Sequence, residues 1–368
     1  MKASYFGSMA YADRHKFAAG WPVPPSYQDP QISMQSYQDG MEECEFAEEM
    51  GFDWVSVSEH HYSGNRTTPN PAVMAAAVAE RCKRAKIALF GQLLPLSNPV
   101  RAAEEIGMLD NLTGGRLVVS FMRGTPTEDQ VYGVNPGEGR ARLIEAMDLV
   151  LKALTEPQPF SWEGRYYQFR TVSVWPRPVQ QPFPPVIVAT RSEDTVRYAA
   201  ANRLGLGISY APVDHAAQVA GQYNQWCLDA GWQPEPGHIV YRGGLCLAET
   251  DRQAEELLEG LKSVGSGRGL GMTPSMARAV QAARAGEEHD PRSSGAGATQ
   301  GGAPGDARGL IGLVGGPDTI VRQLKEFHDQ CGIGVVDLAF QHPGMGHREV
   351  MKEIELFGRE VLPRIREF

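Results

Sequence analysis

The chain has 368 residues, 42% of them apolar, which is enough to build a large core as two domains or as one α/β barrel. Its formal net charge of -9 argues against nucleic acid as a partner. The five cysteines are scattered, odd in number and without a C-x-x-C pair, which argues against a disulfide framework or a structural zinc site. The N-terminus lacks a signal-peptide core and no apolar run approaches ~18 residues, so we expect a cytoplasmic protein without membrane contact.

The first half of the chain alternates predicted strands with predicted helices. The strands are predicted over residues 2–6, 52–61, 87–94 and 116–121, and the helices over 34–50, 70–84, 98–112 and 140–154. Asn-Pro pairs at 70–71 and 98–99 are typical of helix starts. A long Pro-rich loop is predicted over residues 7–30, and a loop of that length usually has a function or is mobile.

The second half is interrupted twice. Residues 160–169 predict a small hairpin around Glu163-Gly164, and a Pro-rich stretch follows it. Further strands are predicted over 186–189, 206–210, 238–248 and 335–340, and further helices over 192–202, 213–230, 251–264, 316–330 and 348–365. Residues 265–309 are rich in Gly, Ala, Ser and Arg, which predicts an insertion that is partly disordered or a mobile lid.

Eight strands that alternate with helices predict an α/β fold, a (β/α)8 TIM barrel. Residues 1–368 would form this single domain, with 265–309 as a mobile insertion after strand seven. A doubly wound sheet is the alternative. It loses its main support because no G-x-G-x-x-G follows a strand and no phosphate-binding P-loop motif occurs.

The second predicted strand ends in three ionisable residues, Glu59, His60 and His61. In a (β/α)8 barrel the C-terminal ends of the strands carry the active site, and a histidine there can hold or pass a proton near neutral pH. A salt-linked strand end is the alternative interpretation. A metal site is disfavoured, since adjacent strand residues point to opposite sides.

Other strand ends add a cation and hydroxyl groups. Arg123 follows the fourth strand, where a guanidinium can bind a phosphate through two hydrogen bonds. Ser192 and Thr195 begin a helix, whose free amides favour an anion. Ordinary helix capping and a salt bridge from Arg123 to Glu128 are the alternatives. Together these residues favour a phosphate-bearing ligand.

Several segments carry a more specific resemblance. They are S-E-H-H at 58–61, L-P-L-S-N-P-V-R-A-A-E-E at 94–105, L-D-N-L-T-G-G-R-L at 109–117, F-M-R-G at 121–124, E-G-R-Y-Y-Q-F at 163–169 and W-P-R-P-V-Q-Q-P at 175–182. In this order the set resembles the bacterial luciferase-like family of flavin-dependent monooxygenases. The resemblance spans most of the chain.

The resemblance implies a site for reduced FMN as co-substrate. It implies Glu59 and His60 as catalytic residues and no metal. It implies Arg123, Ser192, Thr195 and Met122 as cofactor-binding residues. Gly91, Gln92 and Thr190, which lie at the same strand ends, complete the predicted cofactor-binding set. It also implies a cis peptide bond that does not involve proline, near Phe90-Gly91.

The implied reaction oxygenates a small organic substrate with dioxygen through a flavin peroxide. The resemblance further implies a separate flavin reductase and a homodimer that packs through the helices after strands two and three. A deazaflavin-dependent oxidoreductase on the same fold and a non-catalytic flavin-binding protein are the alternatives.

Overall fold

The computed structural model describes residues 1–16, 21–64, 66–125, 128–190, 192–263, 311–342 and 344–368. Its strands are β1 Lys2–Phe6, β2 Trp54–Val57, β3 Lys86–Leu93, β4 Leu117–Met122, β5 Phe160–Glu163, β6 Gln168–Val172, β7 Val186–Ala189, β8 Gly205–Ser209, β9 Ile239–Leu247, β10 Ile311–Gly315 and β11 Val335–Ala339. Its helices are α1 Pro30–Glu49, α2 Pro71–Arg81, α3 Pro99–Thr113, α4 Gly139–Thr155, α5 Glu193–Ala201, α6 Val213–Asp229, α7 Asp251–Ser263, α8 Pro317–Cys331, α9 His347–Leu356 and α10 Leu362–Ile365. The insertion predicted at 265–309 lies outside the described residues.

Eight parallel strands close into a barrel in the order β1, β2, β3, β4, β7, β8, β9 and β11. Tyr5 of β1 lies opposite Val55 of β2 on one side and Leu338 of β11 on the other, so the ring is complete. The helices cover its outside and bury a continuous apolar layer against the strands. The predicted (β/α)8 barrel is therefore confirmed.

The helix starts show why the chain folds into these elements. The Asn98 side chain accepts hydrogen bonds from the amides of Val100 and Arg101, at 2.9 and 3.3 Å. Helix α1 begins at Pro30 rather than at the predicted residue 34, because Asp29 caps it by accepting from the Gln31 amide at 2.8 Å. The loop predicted over 7–30 is correspondingly shorter and includes two single 3-10 turns.

Two elements near the C-terminus differ from the prediction. Strand β10 is missing from the sequence prediction because its Gly-rich residues resemble the end of the insertion; it pairs with the second half of the nine-residue strand β9. The closing helix predicted over 348–365 is interrupted by a π-helical turn, Phe357–Val361. Pro363 lies just beyond that turn, and its missing amide hydrogen removes one regular helix bond. No helix of the described ranges is both long and apolar enough to cross a membrane.

The barrel interior combines apolar and charged layers. Its apolar part is the cluster Trp54, Ala88, Phe90, Val118, Ile187, Val240 and Val335. In a polar layer, the buried Arg242 Nε donates to Asp337 Oδ2 at 2.6 Å. Ser56 Oγ donates to the other Asp337 oxygen at 2.6 Å, so this buried carboxylate has two partners. Both charges of the pair are compensated inside the barrel.

A second buried polar cluster joins the barrel to its outer helices. The Tyr5 hydroxyl of β1 donates to Glu43 Oε2 of α1 at 2.7 Å. His347 Nδ1, at the start of α9, lies 3.0 Å from the other Glu43 oxygen. Glu43 is fully buried, and these bonds satisfy a carboxylate that would otherwise be costly to bury.

The predicted hairpin is strands β5 and β6, which pair antiparallel beside α4. The Glu145 carboxylate of α4 accepts from the amides of Arg165, Tyr166 and Tyr167 at 2.9 to 3.2 Å. A Cβ atom at Gly164 would lie 1.8 Å from Glu145 Oε1, so this turn requires glycine. One carboxylate thus holds the hairpin against the barrel.

Candidate active site

The predicted catalytic residues lie in the loop that follows β2. The buried Glu59 accepts from the Leu93 amide at 3.0 Å through Oε2, and its Oε1 lies 3.0 Å from His61 Nε2. Glu59 therefore joins the end of β2 to the end of β3, while His61 is buried behind it. These contacts give Glu59 and His61 a positioning role in the geometry of the strand ends.

His60 differs from His61 in its hydrogen-bond partner and in its exposure. Its Nδ1 lies 2.9 Å from Glu128 Oε1, and its side chain is 30% exposed, against 4% for Glu128. The other Glu128 oxygen accepts from the Thr125 amide at 2.9 Å and the Thr125 hydroxyl at 3.0 Å. Within the described residues, His60 Nε2 has no hydrogen-bond partner. That nitrogen is therefore available to a ligand.

Glu128 fixes the tautomer of His60. Burial raises the pKa of the Glu128 carboxyl, but hydrogen bonds from His60 and Thr125 outweigh burial and hold that pKa below its ordinary value. An ionised Glu128 accepts a proton-bearing Nδ1, which leaves Nε2 of the neutral ring as an acceptor. Sequence reasoning missed this partner, having placed Glu128 as an alternative partner of Arg123. Its only signal is an acidic pair, Glu128-Asp129, just after a strand end.

The ends of β3 and β4 contact each other closely. The peptide bond between Phe90 and Gly91 is cis, at the position that the family resemblance implies. A Cβ atom at Gly91 would lie 2.7 Å from Met122 Cγ and 3.0 Å from the Ser120 carbonyl oxygen. Gly91 is packed so closely against Met122 and the Ser120 carbonyl that no larger residue fits at position 91.

Gln92 is the next residue on β3 and is 3% exposed. Its Oε1 is buried and has no hydrogen-bond partner among the described residues. A buried polar atom without a partner is uncommon in folded proteins and marks a place for a bound water or ligand group. Gln92 is thus an unsatisfied acceptor at the barrel mouth.

Arg123 lies between β4 and the start of α4. One of its terminal nitrogens donates to the Pro136 carbonyl at 2.8 Å. A Cβ atom at Gly139, the first residue of α4, would lie 2.9 Å from Arg123 Nε. The guanidinium therefore packs against Gly139 and donates to the Pro136 carbonyl.

The predicted helix start follows β7. Thr190 Oγ1 accepts from the Ser192 amide at 3.0 Å, and Ser192 is the N-cap of α5 without using its hydroxyl as a cap among the described residues. The Thr195 amide is already bonded to the Ser192 carbonyl at 3.1 Å, so only the hydroxyl of the buried Thr195 can serve a ligand. Asp194 lies in the same first turn and pairs with Arg140 at 3.5 Å.

All predicted site residues therefore lie at or after the C-terminal ends of four strands that are neighbours in the barrel, β2, β3, β4 and β7. This arc of the mouth presents an imidazole with a free Nε2, an unsatisfied amide oxygen and a guanidinium. In the described ranges, no group of three or more His, Cys, Asp or Glu side chains is placed to hold a metal ion. The arrangement suits a planar cofactor that carries a phosphate.

The chain is similar to known proteins in sequence and in fold. Residues 18–332 match the family model for luciferase-like monooxygenases. The oxygenase component of a flavin-dependent trigonelline monooxygenase from Acinetobacter baylyi is 27% identical over 206 residues, covering 54% of this chain and 56% of the relative. The chain spans about half the length of the curated relatives that it matches first.

Two solved structures share the fold over 99% of both chains. The oxygenating constituent of 3,6-diketocamphane monooxygenase from Pseudomonas putida, a type II Baeyer-Villiger enzyme in complex with FMN, has a TM-score of 0.73 at 20% identity. An F420-dependent secondary alcohol dehydrogenase, in complex with an F420-acetone adduct, has a TM-score of 0.69 at 16% identity. At these identities the likeness shows the fold alone.

Proposed function

This chain belongs to the luciferase-like monooxygenase family, and on that premise we propose that it is a flavin-dependent monooxygenase. It would use reduced FMN and dioxygen to oxygenate a small organic substrate. The observation that carries the proposal is His60, whose Nδ1 is bonded to Glu128 and whose Nε2 is left for a ligand on the same arc as Arg123. Reduced FMN, when bound, supplies the electrons that activate dioxygen.

The residues of this arc fit FMN. Arg123 and the hydroxyls of Ser192 and Thr195 would hold the phosphate, as the predicted anion site requires. The buried Gln92 amide oxygen can accept from a ring N–H, which removes its lack of a partner. Thr190 would support the phosphate loop through its bond to Ser192. Gly91 and Met122, which are in close contact, would lie against the flat ring.

His60 would supply the acid–base function of the site. Its Nε2 can accept a proton from a reacting oxygen or return one, while the contact of Nδ1 with Glu128 holds the ring in position. Glu59 is also proposed as part of this machinery, since its bonds to Leu93 and His61 set the position of the loop that carries His60. No step of this scheme requires a metal.

A separate flavin reductase would deliver the reduced cofactor, as the name of the trigonelline relative, an oxygenase component, suggests. The F420-dependent neighbour makes a deazaflavin the competing cofactor. The two are separated by titrating the full chain anaerobically with reduced FMN and, in parallel, with reduced F420. We expect saturable binding of reduced FMN and then an altered rate of oxygen consumption when air is admitted.

Binding of reduced F420 without binding of reduced FMN would replace the proposal with hydride transfer. Binding of FMN with an oxygen reaction no different from free FMN would point instead to a flavin-binding protein without catalysis.

We further propose a homodimer formed through α2 and α3. On α3, Met108 and Leu112 form an apolar ridge at i and i+4 that is 52% and 58% exposed. The neighbouring helix α2 presents the exposed Val73 and the small exposed Ala77, which permits close helix approach. An apolar ridge on two adjacent helices is a common feature of subunit interfaces.

Light scattering should therefore give twice the chain mass, and Met108→Glu should halve it. The matched control is Leu228→Glu, which changes an exposed leucine of α6, a helix outside the proposed interface, and should leave the mass unchanged. A parent protein that scatters as a monomer would disprove this interface.

A further inference from the structure

Arg66 lies in the loop that follows β2, between His60 and the start of α2. Its guanidinium carbon is 5.1 Å from the centre of the Phe6 ring, and that of Arg242 is 4.1 Å from the same ring. Phe6 therefore contacts two guanidinium groups, an arrangement in which ring and cation attract. Against the lowering effect of burial, Tyr210, which follows β8, raises the pKa of the Arg66 guanidinium, so its hydroxyl lies near that group.

The two arginines differ in how their charge is compensated. Arg242 is paired with Asp337 at 2.6 Å inside the barrel. For Arg66, no acidic side chain of the described ranges lies within ion-pair distance, and its buried Nε has no hydrogen-bond partner among those residues. Burial lowers the pKa of the Arg66 guanidinium, which is the signature of a cation held away from water.

The neighbouring titratable groups do not supply the missing charge. Glu128 acts on Arg66 through space, but its oxygens are committed to His60 and Thr125. His342 is neutral at physiological pH, because burial lowers its pKa to about 4, although its bond to the Leu245 carbonyl opposes this. A half-buried cation without an anion nearby is less stable than a paired one, so a negatively charged ligand would complete this part of the mouth.

The backbone around Arg66 is held in a fixed position. The Thr67 amide donates to the Met9 carbonyl at 3.1 Å, and the Thr67 hydroxyl donates to the same oxygen at 2.5 Å. Thr68 donates through its hydroxyl to the Ser58 carbonyl, and its own carbonyl accepts from the His60 amide at 3.2 Å. The loop that carries His60 therefore also carries Arg66, so the two side chains share one rigid support.

We propose that Arg66 recognises a carboxylate on the substrate, so that the enzyme acts on small organic acids. The carboxylate would be bound by the Arg66 guanidinium and the Tyr210 hydroxyl, which turns the rest of the molecule toward His60. A guanidinium suits this task because its planar donors match the two oxygens of a carboxylate. This inference rests on the proposed function for the fate of the bound acid.

Arg66 could instead bind the cofactor, because the ring of reduced FMN also carries a negative charge. The test therefore uses benzoate and benzamide, which have similar shapes and differ in charge, with the full-length protein saturated with oxidised FMN. Affinity for each probe is measured by calorimetry for the parent, Arg66→Met, Arg66→Lys and Arg252→Met. Arg252 is an exposed arginine of α7 and serves as the matched control.

We expect the parent to prefer benzoate to benzamide by at least about tenfold. Arg66→Met should lose benzoate affinity by about ten- to a hundredfold, since a charge-assisted hydrogen bond is removed. Its benzamide affinity should be unchanged, Arg66→Lys should keep part of the preference, and Arg252→Met should behave as the parent. Circular dichroism checks that each variant is folded.

Equal affinity of the parent for the two probes, no benzoate binding, or parent-like benzoate binding by Arg66→Met would each overturn the inference. A fall in reduced FMN affinity in Arg66→Met, with no change for benzoate, would assign the guanidinium to the cofactor and overturn it as well. The proposed function fails separately: a parent protein that does not bind FMN but still prefers benzoate through Arg66 would refute only that function.

Discussion

Replacing His60 with alanine should lower coupled turnover by on the order of a hundredfold or more while flavin binding stays near the parent value. His60 Nε2 is the proposed proton acceptor, left open by the Glu128 bond, and the ring is not part of the proposed phosphate site. The measurement is product formation at saturating reduced FMN, with hydrogen peroxide followed in the same samples. Peroxide release should rise, because reducing equivalents no longer reach the substrate.

Two further variants sharpen this test. Glu128→Gln keeps an oxygen that can accept from Nδ1 but loses the negative charge, so its turnover should fall less than that of His60→Ala. His15→Ala removes an exposed histidine of a 3-10 turn and should be silent. Full coupled turnover in His60→Ala would show that the proton is handled elsewhere.

Replacing Arg123 with alanine should weaken FMN binding and leave the chemical step largely intact. A charge-assisted hydrogen bond contributes about 1.5–3 kcal/mol, so affinity for FMN should fall about ten- to a hundredfold or more. Excess reduced FMN should restore much of the turnover, since Arg123 is proposed to bind the phosphate and not the reacting atoms. The dissociation constant, obtained from flavin fluorescence, is the direct readout.

Arg123 also donates to the Pro136 carbonyl, so the variant could disturb the start of α4. Arg123→Lys, which keeps the charge, should recover part of the affinity, and Arg197→Ala, which removes an exposed arginine of α5, should not change it. Parent-like FMN affinity in Arg123→Ala would place the phosphate elsewhere. If neither His60→Ala nor Arg123→Ala alters flavin affinity or oxygen consumption, the whole site is misplaced.

The sequence predicts most of the barrel because its signals are local. Asn98 followed by proline marks a helix start through the capping chemistry of a single side chain, and the structure shows those bonds. Strand β10 escapes prediction because its stability comes from pairing with β9, a partner more than sixty residues away, and not from its own Gly-rich residues.

The candidate site likewise contains residues that local signals predict and contacts that depend on the assembled fold. Strand ends that carry Glu59, His60 and Arg123 can be found by the barrel rule alone, since the rule needs only the order of strands. The pairing of His60 with Glu128 joins residues 68 positions apart through a turn whose shape no local pattern encodes. Arg66 is missed for a related reason, because its lack of a partner appears only after the neighbours have been assembled.

The hydrogen-bonded cluster of Tyr5, Glu43 and His347 couples folding to proton uptake. The bond to Glu43 raises the pKa of His347 despite its burial, and the nearby carboxylates Asp39 and Glu42 act in the same direction. Because the folded state holds this proton more tightly than the unfolded state does, protonation favours folding. The stabilisation is complete below the ordinary histidine pKa of about 6.5, and it is lost as the pH rises through the higher pKa of His347 in the folded protein. Alkaline conditions therefore weaken the attachment of α9 to α1 through a titration that involves no residue of the proposed active site.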